Sequence, residues 1–168
     1  EIVENPNIST AIAYIKKKKR YVAYNPAFMI RVKDRTKSDW GAISVMAHEI
    51  GHHLSGHTLI VRRHDPQEEL DADHFSGFIL YKMGASLDEA KSTINLVPLN
   101  SNPETHPPKN ARLVAITLGW LDANRLEEGI FNTDTAVKNL FPTFSPDSVM
   151  KKKSPYVYKC VIYGDKNN

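Results

Sequence analysis

Residues 48–57 read HEIGHHLSGH, which places four of the chain's seven histidines within ten positions. His48, Glu49 and His52 form the pattern H-E-x-x-H. On a helix, positions i and i+4 face the same way, so both imidazoles reach one point in space. Neutral imidazole nitrogen is a preferred donor to zinc, and a catalytic zinc site keeps one coordination position open for water. Glu49, one residue past the first histidine, stands where a carboxylate can take a proton from that water. The bland alternative is two helix histidines satisfied by ordinary hydrogen bonds. What separates the readings is a third ligand.

Two stretches offer one. In EELDADHFSG (68–77), Glu69 and Asp73 are four apart and share a helix face. Glu69 can complete a two-histidine, one-glutamate zinc site, and Asp73 can accept the free ring N–H of a ligating histidine and fix its tautomer. Glu68 is the rival, but its place in a capping box gives it another task. The second offer is His57. It would make the site metzincin-like, H-E-x-x-H-x-x-G-x-x-H, except that the glycine and histidine positions of that pattern hold Ser55 and Thr58. His57 then falls just past a helix cap, near the rim of a cleft. His53 points about 100° from His52 and reads as a surface or packing residue.

The elements that must carry these residues form a mostly helical α+β layout without internal repeats. Ile8, Ile12 and Ile15 recur at helical spacing and predict an amphipathic helix over 7–19. Phe28, Ile30 and Val32 alternate with Met29 and Arg31 and predict a half-buried strand, with Asn25-Pro26 as the turn before it. That strand would give an extended peptide an edge to pair with. From about Asp39 the period is helical again. Ile43, Ala47, Ile50 and Leu54 form the core stripe, with His48 and His52 pointing away from it, and Gly56 is placed as a left-handed cap. Asp65-Pro66-Gln67-Glu68 opens a second helix that runs to about Met83 and is closed by Gly84. Ser86-Leu87-Asp88-Glu89 is a capping box for a third helix, stopped by Pro98. Pro98–Pro108 is a loop, and Leu113, Ile116 and Trp120 mark a fourth helix after it. Beyond about Gly129 the pattern weakens, so the chain divides into a domain over 1–129 and an extension or linker of unknown role over 130–168. In that tail, 142–155 reads as linker and Tyr156–Tyr163 as a strand.

Composition fits one domain with a proper core: 168 residues, 41% hydrophobic. The net charge of +3 is accounted for by two solvated runs, Lys16–Arg20 and Lys151–Lys153. Without a basic face interleaved with aromatics, no nucleic-acid partner is expected. Cys160 is the only cysteine, so no intrachain disulfide can form. The chain opens on Glu1 rather than Met, and the expectation is of a processed form. This leaves room for a removed signal or anchor, with any membrane association supplied by segments outside these residues.

HEIGHH, followed by E-x-x-A-D (Glu69, Ala72, Asp73) and then by a His-Pro segment before an arginine-bearing helix (His106, Pro107, Arg112), resembles the HtpX-like zinc peptidases. These are family forty-eight of the metallopeptidases, gluzincins that include the CaaX prenyl proteases. The resemblance covers roughly residues 21–122. It implies a zincin-like fold, mainly helical with a small β-sheet and the H-E-x-x-H on an active-site helix. It implies a zinc endopeptidase acting on peptide or protein substrates, with His48, His52 and Glu69 as ligands of Zn2+, Glu49 as catalytic base and Asp73 behind the ligands. It further implies that His106 approaches the developing oxyanion and that Arg112 supports the His106 loop. Relatives are often in or near bacterial membranes, so cell envelope or periplasm is implied over cytoplasm. His74 departs from the family, whose members usually carry arginine there. The link of 16 residues between His52 and Glu69 leaves no room for membrane helices.

Two other readings follow from the same letters. One is a zinc-containing binding module without turnover, part of a larger protein; the other is the metzincin-like protease that would use His57.

Overall fold

AIAYIK and KRYVAY flank a pair of lysines, and that pair decides the start of the chain. In the computed structural model, which describes residues 1–59, 65–96 and 107–128, Lys17 and Lys18 adopt φ of 50° and 63°. Two consecutive left-handed residues make the two-residue turn whose twist matches a β-hairpin. Ala11–Lys16 (β2) and Lys19–Tyr24 (β3) therefore pair antiparallel, with Tyr14 opposite Tyr21 and their rings stacked at 5.2 Å. Ile2–Glu4 (β1) joins β3 in parallel, giving the order β1-β3-β2. The helix expected over 7–19 is thus a strand and half a hairpin. Its isoleucine spacing suits a helix, but cross-strand pairing of aromatic and β-branched residues outweighs local period here.

The strand expected over 28–32 is corrected in the opposite direction, to helix Pro26–Thr36 (α1). Asn25 is its N-cap, accepting from the Phe28 N–H at 3.1 Å, and Pro26 occupies the first turn. Phe28 and Val32 fit either period, being four apart; Ile30 separates them. A strand would bury it with the other two, whereas it is 62% exposed while Val32 is fully buried. The substrate-pairing edge sought at 28–32 has no strand to rest on. The strand that lies at an edge and packs on the next helix is β2.

The remaining helices form where the spacing places them. Trp40–Leu54 (α2) carries the H-E-x-x-H, and its chain leaves through Ser55 and a left-handed Gly56 at φ 81° into a 3-10 turn, His57–Leu59. Pro66–Lys82 (α3) is capped by Asp65, which accepts from the Gln67 N–H, and ends at Gly84 with φ 95°. Leu87–Leu96 (α4) follows the reciprocal Ser86–Glu89 capping box, with hydrogen bonds in both directions. Lys109–Glu128 (α5) completes the set. The architecture is α+β, five helices and a three-stranded sheet among the described residues. All of these residues belong to the first of two units into which the chain divides, Glu1–Thr133. Among them, no helix is long and apolar enough to cross a membrane. The expectations for Pro98–His106 and for the tail, linker and strand included, fall outside the described residues.

The core is shared by α3, α4 and α5: Leu80, Ala85, Ala90, Ile94 and Ile116, with Trp40, Ile43, Leu113 and Trp120 packed against it. The expected stripe of α2 is half right. Ala47 is buried and Ile43 joins the core, but Ile50 and Leu54 are exposed. What α2 buries instead is a line of small residues, Gly41, Ser44, Ala47 and Gly51. A Cβ at Gly51 would lie 3.1 Å from Ala72 Cα, so glycine allows α2 and α3 to approach this closely. Between α3 and α5, a Cβ at Gly77 would run into the Ile116 carbonyl and one at Gly119 into that of His74. Three glycines thus set the spacing of the three helices that carry the site.

Candidate metal centre

The close pairing of α2 with α3 brings one turn of each helix face to face. From α2 come His48 and His52; from the first turn of α3 comes Glu69, 4% exposed. The Nε2 atoms of the two histidines are 3.2 Å apart. Glu69 presents Oε2 to His48 Nε2 at 3.5 Å and Oε1 to His52 Nε2 at 3.4 Å. One ligand atom from each of the three residues falls within 4.8 Å of the others, a group that could hold a metal ion. Glu68 and His57 are not part of it.

Asp73, one turn beyond Glu69 and 2% exposed, accepts from His48 Nδ1 at 2.9 Å. That bond puts a proton on Nδ1 and leaves Nε2 as the ring atom turned toward the centre. Arg112 of α5 then grips Asp73 with two bonds, Nε to Oδ2 at 2.7 Å and Nη2 to Oδ1 at 2.8 Å. A fork of this kind satisfies a buried carboxylate far better than a lysine could. Arg112 thus acts on the site through Asp73 and His48. The loop residue it was expected to support, His106, lies outside the described residues. Glu49 sits half-buried beside His48, near enough for its charge to act on both His48 and Arg112.

Electrostatically the centre wants a cation. Burial alone would lower the His48 pKa, but the Asp73 carboxylate, then Glu69 and the Glu49 charge, overcome it and push it up to about 10. Burial would raise Glu69, yet the hydrogen bonds and charges of His48 and His52 hold it far below the usual carboxylate range. Asp73 is likewise held low against its burial, by His48 first and then Arg112. Three carboxylates face one fixed guanidinium. Two bare imidazole nitrogens 3.2 Å apart would oppose their lone pairs unless a proton or a metal ion lay between them.

The other histidines have separate tasks. His53, 6% exposed, meets the Tyr21 carbonyl through Nε2 and Thr58 Oγ1 through Nδ1, tying α2 to β3 as a packing residue. His74, where an arginine was the family expectation, pairs through Nε2 with Asp122 of α5 at 2.9 Å. His57 stands outside the group that could hold a metal ion. Its Nδ1 lies 3.0 Å from Nδ1 of His52, on the side of that ring away from the centre. Sequence spacing concealed this contact, because five residues is not a helical neighbour spacing; the turn at Gly56 creates it. Spacing gave no signal either for Gly51, whose missing Cβ admits Ala72, or for Asp71, whose Oδ2 lies 3.7 Å from His57 Nε2.

Comparison with family models, curated proteins and solved structures finds no match to this chain.

Proposed function

We propose that the chain is a zinc-dependent endopeptidase of the gluzincin kind, with a zincin-like domain built around α2. The observation that carries this is the spacing of the three ligands. The separations here are 3.2, 3.4 and 3.5 Å. They join the Nε2 atoms of the two histidines to each other and to the two oxygens of Glu69, and one atom from each residue lies within 4.8 Å of the others, close enough to share a single ion.

His48, His52 and Glu69 would hold the ion, which when bound supplies Lewis-acid polarisation of a scissile carbonyl and acidifies water. The protein's own residues do the rest. Asp73 keeps His48 in the metal-binding tautomer, and Arg112 keeps Asp73 ionised and aligned. Glu49, adjacent to a ligand but outside the ligand set, takes the proton of the attacking water and passes it to the departing amine. His106 and an oxyanion role belong to this proposal through the resemblance alone.

Glu49→Gln tests it against a binding module without turnover. Hydrolysis of a generic unfolded protein by the wild type should fall about 10²–10⁴-fold in the variant, with zinc retained. A wild type that binds zinc and cleaves nothing, or a variant that cleaves equally well, would contradict the proposal.

A further inference from the structure

We infer that His57 is a positioning residue for the metal centre: it fixes His52 in the tautomer and ring orientation that metal binding requires, and Asp71 holds it in turn. The inference rests on the metal-site reading proposed above and adds a second supporting arm to it.

Two Nδ1 atoms 3.0 Å apart cannot both donate or both accept, so one carries the proton. His52 must keep Nε2 bare, since that atom faces His48 Nε2 and Glu69 Oε1 at 3.2 and 3.4 Å. Its proton then sits on Nδ1 and is donated to His57. An accepting Nδ1 in turn places the His57 proton on Nε2, and that atom lies 3.7 Å from Asp71 Oδ2. This is beyond hydrogen-bond length, so Asp71 orients the ring through its charge. Asp71 is itself steadied by Gln67, whose Nε2 donates to Oδ1 at 2.9 Å. Polarity therefore runs Asp71, His57, His52 and then the centre, beside the shorter arm of Asp73 and His48.

The local chain is shaped for this contact. Gly56 at φ 81° turns the backbone straight after α2, so a residue five positions past His52 folds back beside it. The two rings meet edge to face at 5.2 Å, and the His57 side chain is 10% exposed.

The test is zinc affinity, measured by competition with a chromophoric chelator, for wild type, His57→Leu and His57→Asn. Asparagine Oδ1 occupies the place of imidazole Nδ1 and accepts from His52, whereas leucine fills space without accepting. His57→Leu should weaken zinc binding about 10–100-fold, and His57→Asn should stay within about threefold of wild type. Equal losses in both variants, or no loss in either, overturn the inference. A second measurement needs no variant to fold. In the zinc-loaded wild type, long-range proton–nitrogen correlation spectra should show His52 protonated on Nδ1 and His57 on Nε2. His57 protonated on Nδ1 overturns it. A wild type that takes up no zinc overturns the metal-site reading itself, an outcome distinct from a zinc-loaded protein indifferent to His57.

Discussion

Arg112→Met isolates the part of the site that joins metal binding to folding. Asp73 is 2% exposed and accepts two bonds from Arg112, at 2.7 and 2.8 Å, beside one from His48 at 2.9 Å. Removing one partner of a buried pair costs about 3–5 kcal/mol, because the other charge stays buried without compensation. In the metal-free protein a protonated His48 still faces Asp73, which places the expected loss at the low end, about 3 kcal/mol. With a urea m value of about 2 kcal/mol/M, the unfolding midpoint should fall by about 1.5 M. On an Asp73→Asn background the same substitution should cost much less, leaving a coupling of about 1.5–3 kcal/mol between the two positions. Urea titrations of wild type, both single variants and the double variant measure this. A midpoint shift under about 0.3 M, the range of ordinary surface changes, or losses that simply add, would refute the reasoning.

Two further outcomes follow from the same geometry. In metal-free protein, the His48 pKa raised to about 10 contributes stability that is full below its ordinary 6.5 and lost as pH climbs toward 10. Glu69 and Asp73 are held below their ordinary 4.5 and 3.8, so their contribution is present above those values and lost as pH falls through them. Melting of chelator-treated protein should therefore be highest near pH 5.5 and lower at 7.5 and 9; a rise across that range would contradict the assignment. Gly51→Val should push α2 from α3, since a Cβ there already meets Ala72 Cα at 3.1 Å and Phe75 Cδ1 at 3.2 Å. We expect about 1–3 kcal/mol of destabilisation by overpacking, together with weaker zinc binding, because His52 and Glu69 sit on opposite sides of that contact. Unchanged zinc affinity would show that the helix spacing does not set the site.

The helical half of this fold was legible because its signals are local. Asp65-Pro66, the Ser86–Glu89 box, Gly56 and Gly84 each perform in the structure the task their residue type suggests. The N-terminal quarter was not legible, for two physical reasons. Its hairpin turns on two lysines in a conformation that normally signals itself with Asn or Gly, and its strands are decided by partners some distance along the chain. Phe28 and Val32 satisfy both periods at once, and only the exposure of Ile30 tells them apart. In the site, the four-residue spacing of Glu69 and Asp73 signals a shared helix face, and both contact His48. The partnership of His57 with His52 could not be read, because it depends on a backbone turn rather than on a repeat.

The most direct measurement is the metal content of purified protein by elemental analysis, for wild type beside Glu69→Gln. The account predicts one zinc per chain in the wild type and its loss in the variant, since Glu69 faces both imidazoles at 3.4 and 3.5 Å. A wild type without zinc after reconstitution, or a variant that keeps it, would contradict the assignment of His48, His52 and Glu69 as a metal centre.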